Sequence, residues 1–340
     1  MLLWCIEVFL PLENLEEFNM KTVVTGGAGF IGSHLVKRLL EEKREVVIAD
    51  DFSRGSRQNL LDLRVGIECE RIDLRDYEQA SEFIKGADVV FHLAARVGSL
   101  EYLHGSEMCE LAALQTNLAI DVNVFRACLE HGVRRIIYAS SVSVYPIAPQ
   151  QCLGAVLSED DLSRFDPEGG YGWAKLLGEM QLSWMKELDI SIARVFNVYG
   201  ENEDLGENAH VIPALIRKAI LYPQEDFIVW GNGRQTRDLL YVSDCVDAVL
   251  KLEEKAQNPP LVVNIGSAEA VPIRSVAEKI VEVSGKGMKI EYDTTRLVGP
   301  MSRTAKMERA KELLDWEPKV SLDAGLRRTW NWARERLCRS

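Results

Sequence analysis

Tyr171 and Lys175 are separated by four positions, the spacing that places two side chains on one face of a helix. A tyrosine phenol has an ordinary pKa near 10, so a phenol acting as a base at neutral pH needs positive charge nearby. The ammonium of Lys175 supplies such a charge. Ser141 follows an apolar run, 135–139, and its hydroxyl could bond to a substrate oxygen. Because the YxxxK spacing alone is common, these residues predict proton transfer only within a suitable scaffold.

A glycine cluster, TGGAGFIG, stands between a short apolar run and a helical pattern. Gly26, Gly29 and Gly32 have GxxGxxG spacing, in which glycines permit a tight turn and let backbone amides approach a pyrophosphate. Asp50 comes eighteen residues after Gly32, where an acid binds the adenine ribose hydroxyls and repels the 2′-phosphate of NADP. These residues predict NAD as the cofactor, although two nearby arginines leave some room for NADP.

Apolar runs that alternate with helical patterns indicate an α/β fold with a doubly wound parallel sheet. The runs are continuous, which is typical of strands that are buried on both faces. The predicted strands are 21–25, 45–49, 89–94, 135–139, 190–195 and 261–265, and the predicted helices include 33–42, 76–85, 107–131, 171–188, 212–220 and 242–254. No repeat and no long linker divides the chain, so a substrate lobe would be interleaved with the nucleotide lobe.

The bulk properties exclude several other classes of protein. The chain has 340 residues and a formal net charge of −12, which disfavours broad nucleic-acid binding. Its seven cysteines are scattered without a CxxC pair, so we expect reduced thiols in a cytoplasmic protein and no metal site. Residues 1–19 form an extension without the features of a signal peptide, and its apolar run is too short to span a membrane. We therefore expect no membrane partner.

The motifs occur in an order that resembles extended short-chain dehydrogenases acting on nucleotide sugars. In chain order they are TGGAGFIG, the acid at Asp50, HLAA, SSVSVYP, YxxxK, RVFNVYG and QTRDLLYVSD. The match covers roughly residues 20–335. The resemblance implies a Rossmann-type NAD-binding domain over 20–199 and a smaller C-terminal substrate-binding domain, mainly 200–340, with 236–266 returning to the Rossmann domain. It also implies NAD as cofactor and a nucleotide-diphosphate sugar as substrate.

The same resemblance assigns roles to individual residues. Tyr171 resembles the catalytic base, Lys175 its partner, and Ser141 the hydroxyl that bonds the reacting sugar oxygen. Besides Tyr171 and Lys175, the residues that resemble cofactor contacts are Gly26, Gly29, Phe30, Ile31, Gly32, Asp50, Asp73, Leu74, Ala94 and Phe196. Besides Ser141, those that resemble substrate contacts are Ser143, Asn197, His210, Val211, Trp230, Arg237, Arg296 and Arg303. The arginines would hold the diphosphate, although a solvated surface charge is the alternative for Arg296 and Arg303.

Two positions indicate the reaction type. Dehydratases and decarboxylases of this family resemble each other in carrying Glu near the position of Ser143, so we expect the acid for those reactions to be missing here. The sequence also resembles GDP-mannose 3,5-epimerase and GDP-fucose synthase, which carry Cys at that position and Lys or His near Gly206. With those groups absent, the machinery for reversible oxidation at C4 remains. We therefore expect C4 epimerisation of an NDP-hexose or NDP-uronic acid.

Other functions stay open at this point. They are a 3,5-epimerase, a net NAD(P)-dependent nucleotide-sugar dehydrogenase or reductase, and a non-catalytic NAD(H)-binding protein, which fold alone does not exclude. Uracil and guanine also both stay open, because Trp230 and the GDP-sugar likeness favour guanine while C4 chemistry favours a UDP-sugar. The resemblance further implies a homodimer that forms through the helices at 107–131 and 171–188.

Overall fold

The computed structural model describes residues 20–61, 63, 69–162 and 165–338, so the predicted extension lies outside the described residues. In chain order the strands are β1 (Lys21–Thr25), β2 (Glu45–Asp50), β3 (Cys69–Arg71), β4 (Val89–His92), β5 (Arg135–Ser141), β6 (Val156–Leu157), β7 (Asp189–Val195), β8 (Asn197–Tyr199), β9 (Ile228–Trp230), β10 (Thr236–Arg237), β11 (Leu239–Tyr241), β12 (Leu261–Ile265), β13 (Val271–Pro272), β14 (Glu291–Asp293) and β15 (Thr304–Ala305). The helices are α1 (Phe30–Glu41), α2 (Tyr77–Ile84), α3 (Leu100–His104), α4 (Glu107–Glu130), α5 (Gly169–Trp184), α6 (Val211–Leu221), α7 (Val242–Glu254), α8 (Ile273–Ser284), α9 (Glu308–Leu314) and α10 (Leu322–Cys338).

Seven of these strands form one sheet in the order β12-β7-β5-β4-β1-β2-β3. Every neighbouring pair in it is parallel. The predicted doubly wound parallel sheet, of Rossmann type, is therefore confirmed. The strand order reverses between β1 and β4, and in such sheets ligands bind outside the carboxyl ends of the strands at this point.

Apolar side chains cover both faces of the sheet. One core contains Val24 of β1 with residues of α1, α7 and α9, and the other contains Val23 with residues of α2, α4 and α5. Adjacent residues of one strand thus enter different cores, because successive side chains of a strand point to opposite faces. This burial on both sides explains why the strands read as continuous apolar runs.

Two element boundaries differ from the sequence prediction in ways that affect the crevice. Strand β5 continues through Ser141, whereas the apolar run predicted its end at residue 139. Helix α5 begins at Gly169, two residues earlier than predicted, which places Tyr171 in its first turn. The left-handed φ of 56° at Gly169 lets the chain enter this helix, and a Cβ there would overlap the carboxylate of Glu110.

The remaining elements pack beside the sheet. Helices α6, α8 and α10 surround an apolar core that also receives Val229 of β9 and Leu239 of β11. Strand β12 joins the edge of the central sheet, with Ile265 beside Val195 of β7. The division into two domains stays a prediction, but both parts of the chain contribute elements near the strand ends. No helix in the described part of the chain is long and apolar enough to cross a membrane.

A polar network is buried between β1, β4, β5 and α4. Burial lowers the pKa of His92, which is fully buried. The neutral ring then donates from Nε2 to Asp121 Oδ1 over 3.0 Å and accepts at Nδ1 from the Thr25 hydroxyl over 2.7 Å. The Tyr138 hydroxyl donates to Asp121 Oδ2 over 2.6 Å. Gly178 of α5 faces this site, since a Cβ there would overlap the Tyr138 hydroxyl and lie 2.8 Å from Asp121 Oδ2.

We expect Gly178→Ala to lower the free energy of unfolding by about 1–3 kcal/mol, the usual effect of overpacking a well-packed site. The methyl group would force apart α5 and the Tyr138–Asp121 pair. Thermal and urea unfolding would measure the change. Gly287→Ala is the matched control, because a Cβ at Gly287 meets no atom within 4 Å. Equal stability of the two variants would contradict this account of the packing.

Candidate active site

A cavity of about 620 Å³ lies at the carboxyl ends of the parallel strands, and we call it the crevice. Its volume is within the range of small-molecule sites. The predicted site residues that line it are Gly26, Gly29, Phe30, Ile31, Gly32, Asp50, Asp73, Leu74, Ala94, Ser141, Ser143, Tyr171, Phe196, Asn197, His210, Val211, Trp230, Arg237 and Arg303. Lys175 lies buried behind the lining, and Arg296 does not reach it.

The glycine cluster packs the start of α1 tightly against β1 and β4. Gly26 has a left-handed φ of 69°, and a Cβ there would come within 2.9 Å of the Ala94 backbone nitrogen. A Cβ at Gly32 would overlap the Gly26 carbonyl oxygen. Gly29 caps α1 with extended backbone and without a side-chain hydrogen bond, so the first amides of this helix are left for another partner. This arrangement suits an anionic group at the helix N-terminus.

Asp50 lies at the carboxyl end of β2, beside the glycine cluster. Its carboxylate accepts hydrogen bonds from the backbone nitrogens of Ala28, over 3.0 Å, and Phe52, over 2.9 Å. Burial raises the pKa of Asp50, and the two backbone hydrogen bonds lower it. The carboxylate is therefore fixed in the crevice with lone pairs that can accept ribose hydroxyls.

Asp73 is held differently from Asp50. Its carboxylate pairs with Arg75, whose Nη2 lies 2.6 Å from Asp73 Oδ2, and its side chain is partly exposed. The hydrogen bonds with Arg75 lower the pKa of Asp73. Asp73 and Leu74 both line the crevice, beyond β3.

Tyr171, Ser141 and Lys175 meet between β5 and α5. Burial raises the pKa of Tyr171 to about 12, while a hydrogen bond with the Ser141 side chain lowers it. Lys175 Nζ is buried and has no hydrogen-bond partner within the described ranges. It lies 4.5 Å from the ring centre of Tyr138, and the nearby Asp121 raises its pKa while burial lowers it. Tyr171 and Lys175 thus lie one helical turn apart on α5, and the ammonium lacks a hydrogen-bond partner among the described residues.

An acid that the sequence motifs did not indicate, Glu168, lies beside Ser143. The Ser143 hydroxyl donates to Glu168 Oε2 over 3.0 Å, and Arg303 forms an ion pair with the same carboxylate oxygen. Burial raises the pKa of Glu168, but the charge and hydrogen bonding of Arg303 outweigh it, so the pKa lies below the ordinary value. Glu168 was missed because it belongs to no motif, although it stands three residues before Tyr171.

The three arginines predicted to hold the diphosphate lie in different surroundings. Arg237 is buried and donates to backbone carbonyl oxygens of Thr236, Val298 and Pro300 over 2.7 to 2.8 Å. Burial lowers its pKa to about 9. It therefore braces the loop at 298–300 as well as lining the crevice.

Arg296 lies outside the crevice lining, where two acids and an aromatic ring hold it at the surface. Its guanidinium pairs with Glu101 over 2.9 Å and Asp293 over 3.5 Å. It also lies 5.4 Å from the ring centre of Trp230. About half of its side chain is exposed, so its position agrees with the surface alternative.

The remaining predicted contacts flank the crevice from β8 and α6. Asn197 Oδ1 is buried without a hydrogen-bond partner in the described part of the chain. His210 Nδ1 lies 2.8 Å from Glu203 Oε1, a buried acid that sequence reasoning did not select. A buried acceptor without a partner is costly, so Asn197 is suited to receive a donor from a ligand.

Comparison with known proteins agrees with this geometry. The model of the NAD dependent epimerase/dehydratase family matches residues 22–266. The chain belongs to this family. It is similar to UDP-N-acetyl-alpha-D-glucosaminuronate decarboxylase of Bacillus cytotoxicus, with 32% identity over 93% of this chain and 98% of the relative. It is also similar to GDP-mannose 3,5-epimerase of Arabidopsis thaliana, with 30% identity over 97% of this chain and 85% of the relative.

Among solved structures, UDP-glucose 4-epimerase from Thermotoga maritima, in complex with UDP-glucose, superposes with a TM-score of 0.84. The two chains are 28% identical, and the match covers 94% of this chain and 100% of that one. These similar proteins are named for different reactions on nucleotide sugars. The chain is therefore an NAD-dependent enzyme of the epimerase/dehydratase family.

The residues of this family member fit NAD. The uncapped start of α1 and the glycines beneath it leave space for a pyrophosphate, and Asp50 can accept hydroxyls of the adenine ribose. At the other end, buried Lys175 Nζ and buried Asn197 Oδ1 have no hydrogen-bond partner among the described residues. A ligand that fills the crevice could donate to Asn197 Oδ1, which lines it.

Asp50→Ala should weaken NAD binding clearly more than NADP binding. The carboxylate accepts ribose hydroxyls of NAD, while the same charge repels the 2′-phosphate of NADP. Titration of both dinucleotides by calorimetry measures the ratio, with melting temperatures to verify folding. Asp51→Asn is the matched control, because it removes a neighbouring carboxylate that is more exposed. Equal losses for both dinucleotides would sink the assignment of Asp50 to the ribose.

Proposed function

We propose that this enzyme is a redox-neutral nucleotide-sugar 4-epimerase that acts on an NDP-hexose or NDP-uronic acid through a 4-keto sugar. The observation that carries the proposal is the Tyr171 phenol, which lines the crevice with Ser141 and stands one helical turn before the buried ammonium of Lys175 on α5. The Ser141 hydroxyl positions the sugar O4, and Tyr171 removes the proton of O4. These three residues need no second acid in order to move the O4 proton, which suits a reaction confined to C4.

Tyr171 acts as the base once its pKa has fallen. In the crevice without ligands the pKa is about 12, because burial disfavours the phenolate. A nearby positive charge favours the phenolate, and Lys175 carries one a single helical turn after Tyr171 on α5. When bound, NAD would accept a hydride from C4, and the NADH so formed would return it to the 4-keto sugar. Tyr171 then returns the proton to O4, so sugar and enzyme end with their protons balanced.

Other residues orient the substrate. Ser141 keeps O4 near the phenol, and Asn197 Oδ1 accepts a donor from the substrate or the nicotinamide side. Arg237 offers positive charge for the diphosphate, although three backbone carbonyls already occupy its donors. Trp230 and His210 bound the far end of the crevice, where the nucleoside would lie.

Chemistry at C3 or C5 is the principal alternative, and Glu168 is the observation that bears on it. A carbon acid needs a base of high pKa, yet Arg303 holds the pKa of Glu168 below its usual range. Gly206 lies exposed at the edge of the crevice and carries no side chain. Glu168 is thus a weak carbon base, which supports the C4 reaction over 3,5-epimerisation.

We also propose that the protein is a cytoplasmic homodimer. The described cysteines, Cys69, Cys109, Cys128, Cys152, Cys245 and Cys338, are all free thiols, which fits a reducing compartment. Helices α4 and α5 pack together and expose large apolar side chains, namely Met108, Leu111, Val122, Leu129, Trp173 and Trp184. Exposed apolar surface of this extent on two adjacent helices suits an isologous four-helix interface.

Tyr171→Phe should lower kcat at least about a hundredfold, the usual scale for a positioned general base, while substrate binding persists. Product sugars would be resolved by chromatography from a panel of UDP- and GDP-sugars. Wild-type turnover in deuterated water should leave C3 and C5 unlabelled, because no carbon-bound proton exchanges with solvent. Deuterium at either carbon would replace this proposal with a 3,5-epimerase, and stoichiometric NADH release would replace it with a dehydrogenase.

Trp184→Glu should convert the homodimer into monomers. The indole is 70% exposed on α5, so the charge costs little in a monomer but is buried in the interface. Light scattering at micromolar concentration would report the mass of both proteins. Leu313→Glu on α9 is the control, since that side chain is 45% exposed away from α4 and α5. A monomeric wild-type protein would refute the interface.

A further inference from the structure

Glu168 and Arg303 form a buried ion pair on the wall of the crevice. Only 12% of the Glu168 side chain and 7% of the Arg303 side chain are exposed. Both residues line the crevice beside Ser143. Two opposite charges at so little exposure are strongly coupled, and removal of one leaves the other as an unpaired buried charge.

Each partner is fixed in place by its own contacts. The Glu168 backbone nitrogen donates to the Ser143 carbonyl over 2.9 Å, just before α5 begins. Arg303 Nε donates to Gln150 Oε1 over 2.6 Å, and Gln150 in turn donates to the carbonyl oxygens of Tyr145 and Pro146. The pair is therefore preorganised and would keep its geometry when a ligand enters.

The pair lies next to the reacting atoms. The Ser143 backbone nitrogen donates to Ser141 Oγ over 3.1 Å, and Glu168 precedes Tyr171 by three residues. If Ser141 and Tyr171 hold O4 of the sugar, a substituent on a neighbouring ring carbon would come within reach of Ser143 and the ion pair, which line the same crevice. In a hexose or a hexuronic acid, the C5 substituent is either a neutral hydroxymethyl group or a carboxylate.

The charges around this position decide which substituent is tolerated. Arg303 lowers the pKa of Arg237 by repulsion, and both Arg303 and His104 lower the pKa of Glu168 by attraction. Without Glu168, Arg303 would present an unpaired guanidinium, which is a good receptor for a carboxylate. With Glu168 present, its Oε2 already pairs with Arg303 Nη2, and a second carboxylate at this position would lie beside the negative charge of Glu168.

We propose that Glu168 is a specificity-determining residue that selects neutral hexoses against uronic acids by occupying Arg303. This inference rests on the proposed function, because it assumes that O4 is held by Ser141 and Tyr171. It narrows the substrate from an NDP-hexose or NDP-uronic acid to the neutral hexose. Glu168→Gln keeps the shape of the side chain and a hydrogen-bond acceptor for Ser143, but it removes the charge.

The test compares the binding of UDP-glucose and UDP-glucuronic acid to the NAD-loaded protein by calorimetry. Contributions from Arg237 and the nucleotide cancel in the ratio of the two dissociation constants. The wild-type protein should prefer UDP-glucose by at least about tenfold, since like charges in contact cost several kcal/mol and 1.4 kcal/mol is tenfold. E168Q should shift the ratio toward UDP-glucuronic acid by at least about tenfold, and Arg303→Met added to E168Q should cancel the shift.

The matched control is Glu207→Gln, which removes an exposed carboxylate from the edge of the same crevice and should leave the ratio unchanged. Equal or tighter binding of UDP-glucuronic acid by the wild-type protein overturns the inference, and this comparison needs no variant to fold. An unchanged ratio in E168Q, or an equal shift in E207Q, overturns it as well. If the protein does not bind UDP-sugars, the same comparison is made with GDP-mannose and GDP-mannuronic acid. Failure of both UDP-glucose and GDP-mannose to bind also overturns the inference.

Failure of the proposed function gives a different result. Binding requires no turnover, so a preference for UDP-glucose without any C4 epimer among the products would refute the reaction and keep the selectivity. Epimerisation of both sugars with equal dissociation constants would refute the selectivity and keep the reaction. The two readouts, dissociation constants and product sugars, therefore separate the inference from the proposal on which it rests.

Discussion

The carboxylate of Asp121 is the constraint on which the arrangement of β4, β5 and Lys175 depends. It is fully buried and receives hydrogen bonds from His92 of β4 and Tyr138 of β5, so one side chain of α4 sets the distance to two strands. Its negative charge also raises the pKa of Lys175, which burial would otherwise lower further. An isolated buried carboxylate would be very unfavourable, and here the two hydrogen bonds and the nearby ammonium offset that cost. The ammonium beside Tyr171 thus owes its charge partly to the scaffold.

A second constraint comes from glycines, whose lack of a side chain allows close packing. Gly32 and Gly26 let α1 start against the backbone of β1, and Gly178 lets α5 lie on the Tyr138–Asp121 pair. Both contacts bring a helix nearer to the sheet than a Cβ would permit. The first places uncapped amides at one end of the crevice, and the second brings Lys175 to within 4.5 Å of the Tyr138 ring centre. Close packing therefore builds the cofactor end and the catalytic end in the same way.

The sequence predicted what depends on local pattern. Continuous apolar runs indicated the parallel sheet, and the spacing of Tyr171 and Lys175 placed both on one helix, because these signals lie within a few residues. Pairings between distant segments carried no such signal. Glu168 reaches Arg303 only because α5 begins beside the loop after β14, and Arg296 leaves the crevice because Glu101 attracts it from α3. Both outcomes depend on the tertiary arrangement, which neither residue's sequence neighbours encode.

Glu168 also changes how the serine at position 143 is interpreted. In the sequence alone, Ser143 indicates that an acid is missing. In the structure, however, the Ser143 hydroxyl donates to Glu168 at the start of α5. Glu168 is not equivalent to a glutamate at position 143, because Arg303 neutralises its charge and lowers its pKa. A buried ion pair is a weak source of stability, since apolar residues of similar volume would serve as well. Its place on the wall of the crevice beside Ser143 is therefore better explained by the charge that it presents to a ligand than by folding.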